Sequence, residues 1–127
     1  MCLEPYVTRE PVPKGSAEYE AGQQFYRQKN FVKAVSAFQQ AIRINPKEAS
    51  YYYNLGLSLM WLDRNTEAIV AYKKAIALKR DYTSACSFLG SVYERMNQTE
   101  DAINAYREAV RIDPKNFFAT SNLARMI

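Results

Sequence analysis

Cys2 and Cys86 are the only two thiols in the 127-residue sequence, and no histidine accompanies them. Without an imidazole neither thiol, nor any serine, can be paired with the usual general base, so Ser-His and Cys-His nucleophile systems are excluded. Histidine zinc ligands and histidine proton shuttles are absent for the same reason. The thiols are far apart and form no CxxC, so neither a redox pair nor a structural disulfide is expected. Among the acidic residues, Glu100-Asp101 falls where a helix begins and complements its dipole. Asn97-Gln98-Thr99 matches a glycosylation acceptor, but turn and cap chemistry accounts for it. No glycine-rich phosphate loop exists. We expect no catalytic residues, no metal and no cofactor.

Charge narrows the partners. Seventeen Lys+Arg against 13 Asp+Glu leave +4, spread along the chain and not gathered into a basic patch, so nucleic acid is not an expected ligand. No apolar run approaches the roughly 18 to 20 residues of a membrane span, and the first 15 residues are too polar and proline-rich for a signal peptide. The chain reads as soluble and cytoplasmic. The alternative is membrane anchoring through lipidation of Cys2.

The elements that position these residues follow from a repeat. Ala34, Ala68 and Ala102 are spaced by 34, as are Phe38, Tyr72 and Tyr106, and Ala41, Ala75 and Ala109. Gly22, Gly56 and Gly90 share the interval, and Pro46 and Pro114 lie two intervals apart with Arg80 in the column between them. This gives units 15–48, 49–82 and 83–116, then a partial unit or capping helix 117–127. Apolar residues recur at three- and four-residue spacing in both halves of each unit, which predicts two helices per unit. The polar stretches around Asn30, Asp63-Arg64-Asn65-Thr66 and Asn97-Gln98-Thr99 read as turns with helix N-caps. The glycines let paired helices approach and the aromatic column fills the space between them. Arg80 in the proline column is expected to loosen the turn between the second and third units.

Period 34, Leu-Gly, Ala-x-x-x-aromatic-x-x-Ala and a closing proline make the chain resemble the tetratricopeptide repeat (TPR) family over residues 15–116. The resemblance implies an all-α, right-handed superhelix of stacked helix pairs whose concave face is lined by the first helix of each unit. That face holds protein or peptide partners. On it the resemblance places Tyr19, Gln23 and Tyr26 from the first unit and Tyr53, Asn54, Leu57, Met60 and Trp61 from the second. The third unit adds Ser84, Ser87, Phe88, Ser91, Glu94 and Arg95. In chaperone-binding relatives, cations and asparagines here clamp a partner's C-terminal carboxylate; the matching residues are Tyr19, Gln23, Asn54, Ser84 and Phe88. Only Asn54 is retained, so such tails are not expected to bind. What replaces the clamp is aromatic and aliphatic, a composition suited to an apolar or amphipathic segment.

Two further expectations concern the ends. Residues 1–14 carry three prolines and no helical period, and read as an extended tail or linker. Phe117, Phe118, Leu123 and Ile127 make an apolar helix that either continues in a longer protein or stacks on another copy. The chain as a whole reads as a noncatalytic protein-protein interaction scaffold. The alternatives are a membrane-tethered, lipoprotein-type assembly factor and the recruitment domain of a larger enzyme.

Overall fold

A computed structural model describes residues 14–127. The expected tail 1–14, Lys14 apart, and Cys2 with its proposed lipidation lie outside the described residues. Those described form seven helices and no strand: α1 (Ser16–Arg27), α2 (Phe31–Ile44), α3 (Ala49–Trp61), α4 (Asn65–Leu78), α5 (Thr83–Arg95), α6 (Thr99–Ile112) and α7 (Phe117–Met126). The first six make three antiparallel pairs, and α7 packs on α6.

The turn inside each pair is closed by backbone. Lys29, Asp63 and Asn97 stand at φ 61°, 58° and 59°, the left-handed conformation that ends helices. The next amide reaches back five residues: Asn30 N–H to the Phe25 carbonyl at 2.8 Å, Arg64 to Leu59 at 2.9 Å, Gln98 to Tyr93 at 2.9 Å. Side-chain capping is therefore needed less than the sequence suggests. Asn30 does cap α2 through Lys33 N–H at 3.3 Å. In the next two turns, however, Arg64 and Gln98 occupy the cap position with no side-chain hydrogen bond, and Asn65 and Thr99 already lie inside their helices.

The helix pairs interlock through one recurring contact. A Cβ built on Gly56 would come within 2.7 Å of the Tyr72 ring, and Gly22 and Gly90 stand in the same relation to Phe38 and Tyr106. Any side chain at these positions would push out an aromatic ring that is fully buried, together with Ala34, Ala68 and Ala102. Removing each such ring from water contributes roughly 1.5–3 kcal/mol. Cys86 is 2% exposed, and burial pushes its thiol up to about 11, so it behaves as a small core residue and not a nucleophile.

Arg80 does not loosen its turn. The preceding Lys79 has φ −138° and ψ 97°, against −137° and 90° for Asn45 before Pro46 and −138° and 90° for Asp113 before Pro114. Its amide bonds the Ala75 carbonyl at 2.9 Å, as Asn45 and Asp113 bond theirs, and its ammonium lies 4.9 Å from the Tyr82 ring. Local hydrogen bonds impose the geometry that proline would otherwise preset.

Between units, α1 touches α3 and α3 touches α5, whereas α2, α4 and α6 have no comparable mutual contact. The odd-numbered helices therefore line the inside of a curved stack. No helix among the described residues is long and apolar enough to cross a membrane.

Candidate functional site

The inner surface is built by α1, α3 and α5. Tyr19, Gln23, Tyr26, Tyr53, Asn54, Leu57, Phe88 and Glu94 are all half-buried there, while Trp61 is 55% exposed. Met60 and Ser87, both expected to be open on this face, are buried. Met60 is 6% exposed because its flexible thioether turns into the unit, where the sulfur accepts the Tyr72 hydroxyl at 3.9 Å. Ser87 is 1% exposed; its column holds Tyr19 and Tyr53 in the first two units, and the short serine is covered where those rings reach out.

Side chains on this face are tied across units, one period plus one residue apart. Asn54 Nδ2 donates to the Tyr19 hydroxyl at 2.9 Å, Trp61 Nε1 to the Tyr26 hydroxyl at 2.9 Å, and Arg95 Nη1 to the Met60 carbonyl at 3.0 Å. The Tyr53 and Phe88 rings, at the same separation, lie 6.1 Å apart. Each tie holds one helix against the next and fixes a rotamer that would otherwise be free. The side chains of the inner surface are thus held in place before any contact is made.

Three aromatic side chains outside the inner-helix columns extend it. Phe31, the first residue of α2, stacks on Trp61 at 5.9 Å and 14°. Tyr82, in the turn before α5, lies 5.0 Å from Tyr53, and Phe118 of α7 lies 5.4 Å from Phe88. The only readable signal for Phe31 was its nearness to Tyr26 across a tight turn. A hollow of about 250 Å³ opens between Met60, Trp61, Phe88, Ser91 and Arg95.

Electrostatically the groove is quiet. Burial raises the Tyr19 and Tyr53 hydroxyls above their ordinary value, so both remain neutral donors at physiological pH. Glu94 is held below the usual carboxylate range, chiefly by Arg125 at 2.8 Å and further by the Tyr106 hydroxyl at 3.0 Å. Its charge is thereby compensated. The five positions matching the carboxylate clamp hold no cation, and the amide of Asn54 is engaged by Tyr19 and by the Ser50 carbonyl at 2.9 Å. Among the described residues no group of His, Cys, Asp and Glu is placed to hold a metal ion.

A family model described as a tetratricopeptide repeat matches residues 47–115, and a second described as a TPR repeat matches residues 22–62. The chain belongs to the tetratricopeptide repeat family. Solved TPR structures superpose on it closely. The first TPR of Spaghetti (RPAP3), bound to the HSP90 peptide SRMEEVD, is 24% identical with a TM-score of 0.86, over 89% of this chain and 90% of that one. The Arabidopsis OM64 TPR domain is 25% identical with a TM-score of 0.86, over 88% and 93%. MamA is 26% identical with a TM-score of 0.86, and the match covers 88% of this chain but 66% of MamA. A sequence comparison with curated proteins found no match.

Proposed function

We propose that this TPR chain is a noncatalytic protein-interaction scaffold whose concave groove holds an apolar or amphipathic segment of a partner protein. The observation that carries the reading is the wall formed by Tyr53, Leu57, Trp61 and Phe88, beside clamp-matching positions (Tyr19, Ser84 and Phe88 among them) that hold no cation. Aromatic residues fixed by neighbours supply contact area at little entropic cost, the character of interface hot spots. The first RPAP3 repeat domain was solved with an HSP90 peptide and the second with an HSP70 peptide, which supports a peptide-holding use of this fold. The acidic C-terminal tails of such peptides are not the ligand here, since nothing in the clamp columns neutralises a carboxylate.

Self-association through α7 belongs to the same reading, since Phe117 is 83% and Ile127 73% exposed; light scattering showing a strict monomer at high concentration contradicts it. Crosslinking mass spectrometry from native extract tests the main proposal. It predicts a partner whose crosslinks fall on α1, α3 and α5 and whose capture is lost in Leu57→Asp. Micromolar binding of SRMEEVD in calorimetry contradicts it.

A further inference from the structure

The outer face of the second unit departs from its neighbours in a way the concave groove does not explain. Val70 on α4 is 64% exposed, and its column holds Ser36 and Asn104 in the other units. Seven residues on, Ala77 stands where the others have Arg43 and Arg111. In the third unit Arg111 Nε donates to Glu108 at 3.1 Å, and this pair lies across the outer surface. The residues matching that pair in the second unit are Ala77 and Lys74, so the arginine is gone and a cation replaces the carboxylate.

Here lies a hollow of about 490 Å³ walled by Tyr52, Leu55, Val70, Ala71 and Ala77 and edged by Lys73 and Lys74. Small-ligand sites run roughly 300–1,000 Å³, and this hollow falls in that range, whereas the matching hollow of the first unit, beside Glu18, Ser36 and Gln40, is about 240 Å³ and that of the inner face about 250 Å³. Tyr52 is anchored at its mouth by donating to the Pro46 carbonyl at 3.0 Å. Neither lysine joins an ion pair among the described residues. The Lys73 ammonium is steadied 5.9 Å from the Tyr93 ring centroid.

We propose that this hollow is a second docking site, on the convex side, for a protein segment that presents a bulky apolar side chain between acidic residues. The apolar walls take the side chain. Lys73 and Lys74 take its flanking carboxylates, completing the charge pairing that Glu108 and Arg111 complete internally one unit further on. The site is separate from the groove and stands or falls independently of it.

The test uses the full chain and the hexapeptide acetyl-Glu-Glu-Leu-Phe-Glu-Glu-amide, followed by amide shifts in two-dimensional NMR. Saturable shifts are expected at Val70, Lys74 and Ala77, with Leu57 and Phe88 unmoved. Acetyl-Lys-Lys-Leu-Phe-Lys-Lys-amide is expected not to bind. Val70→Asn with Ala77→Arg restores the polar columns of the other units and should abolish the shifts. Lys74→Glu, which leaves the apolar wall intact, should weaken binding by about tenfold, the scale of one charge-assisted hydrogen bond. The proposal is overturned if the acidic peptide fails to bind, if the basic peptide binds equally, or if the α4 shifts appear only with phosphatidylglycerol vesicles.

Discussion

The indole N–H of Trp61 donates to the phenolic oxygen of Tyr26 at 2.9 Å, joining the ends of two helices that belong to successive repeat units. Phe31 stacks beneath the indole and meets Tyr26 edge-on at 5.4 Å and 70°. Trp61 is therefore at once exposed on the inner surface and a tie between units. Trp61→Ala should destabilise the chain by about 1–2 kcal/mol, less than the roughly 3–5 of a fully buried tryptophan. A double-mutant cycle with Tyr26→Phe and Trp61→Phe, read by urea unfolding, should give a coupling of about 0.5–1.5 kcal/mol. Strict additivity would mean the hydrogen bond contributes nothing.

Gly56→Ala should destabilise although alanine is the better helix former by about 1 kcal/mol. The added Cβ would stand 2.7 Å from a Tyr72 ring with no exposed edge into which to move. Overpacking of this kind costs about 1–3 kcal/mol. A raised melting temperature in Gly56→Ala would show that the helices can separate freely and would remove the packing argument for the glycine column.

Alkaline pH should unfold the chain through its tyrosines. Burial pushes Tyr106 up to about 12 and raises Tyr19, Tyr51 and Tyr53 as well. Between an unfolded value near 10 and the raised folded value, the unfolded state has lost protons that the native state keeps. Stability is thus full below about pH 10 and falls as pH rises through that window. Unfolding followed by circular dichroism should coincide with the main rise in tyrosinate absorbance. Ionisation of all tyrosines with native helicity intact would contradict the assignment.

At acid pH the signature belongs to Glu94. Its carboxyl is depressed by Arg125, so the pair supports the fold above the ordinary carboxylate value near 4.3 and loses that support as pH falls through the lowered one. The stability difference between the native chain and Glu94→Gln should shrink to nothing at the acid end of a pH series. A difference independent of pH would locate the role of Glu94 in its neutral hydrogen bonds.

How much was legible depends on whether a residue's role is set by its column or by its neighbours. Gly22, Phe38 and their counterparts could be read because identical packing recurs every 34 residues, so the spacing itself carries the contact. Met60 could not: its column holds the polar Tyr26 and Glu94, which suit an open face, and only the Tyr72 hydroxyl beside it shows why the thioether turns in, as the Glu94 carboxylate turns to the Tyr106 hydroxyl one unit later. Phe31 and Tyr82 lie at a helix start and in a turn, and their place in the groove depends on how successive units are inclined. Lys79 held its turn without proline because a backbone hydrogen bond, invisible in residue type, already set the angle. Val70 and Ala77 were visible as letters, but their meaning required the hollow they wall and the Glu108–Arg111 pair that stands in the Lys74 and Ala77 columns one unit later.

Site-specific photocrosslinking distinguishes a concave binding face from an outer one. A benzoylphenylalanine placed at position 57, on the concave wall, and another at position 40, on an outer helix clear of both proposed sites, are irradiated in native extract. A discrete protein adduct is expected from position 57 and none from position 40. Adducts from position 40 alone, or the same adduct from both, would contradict a concave binding groove.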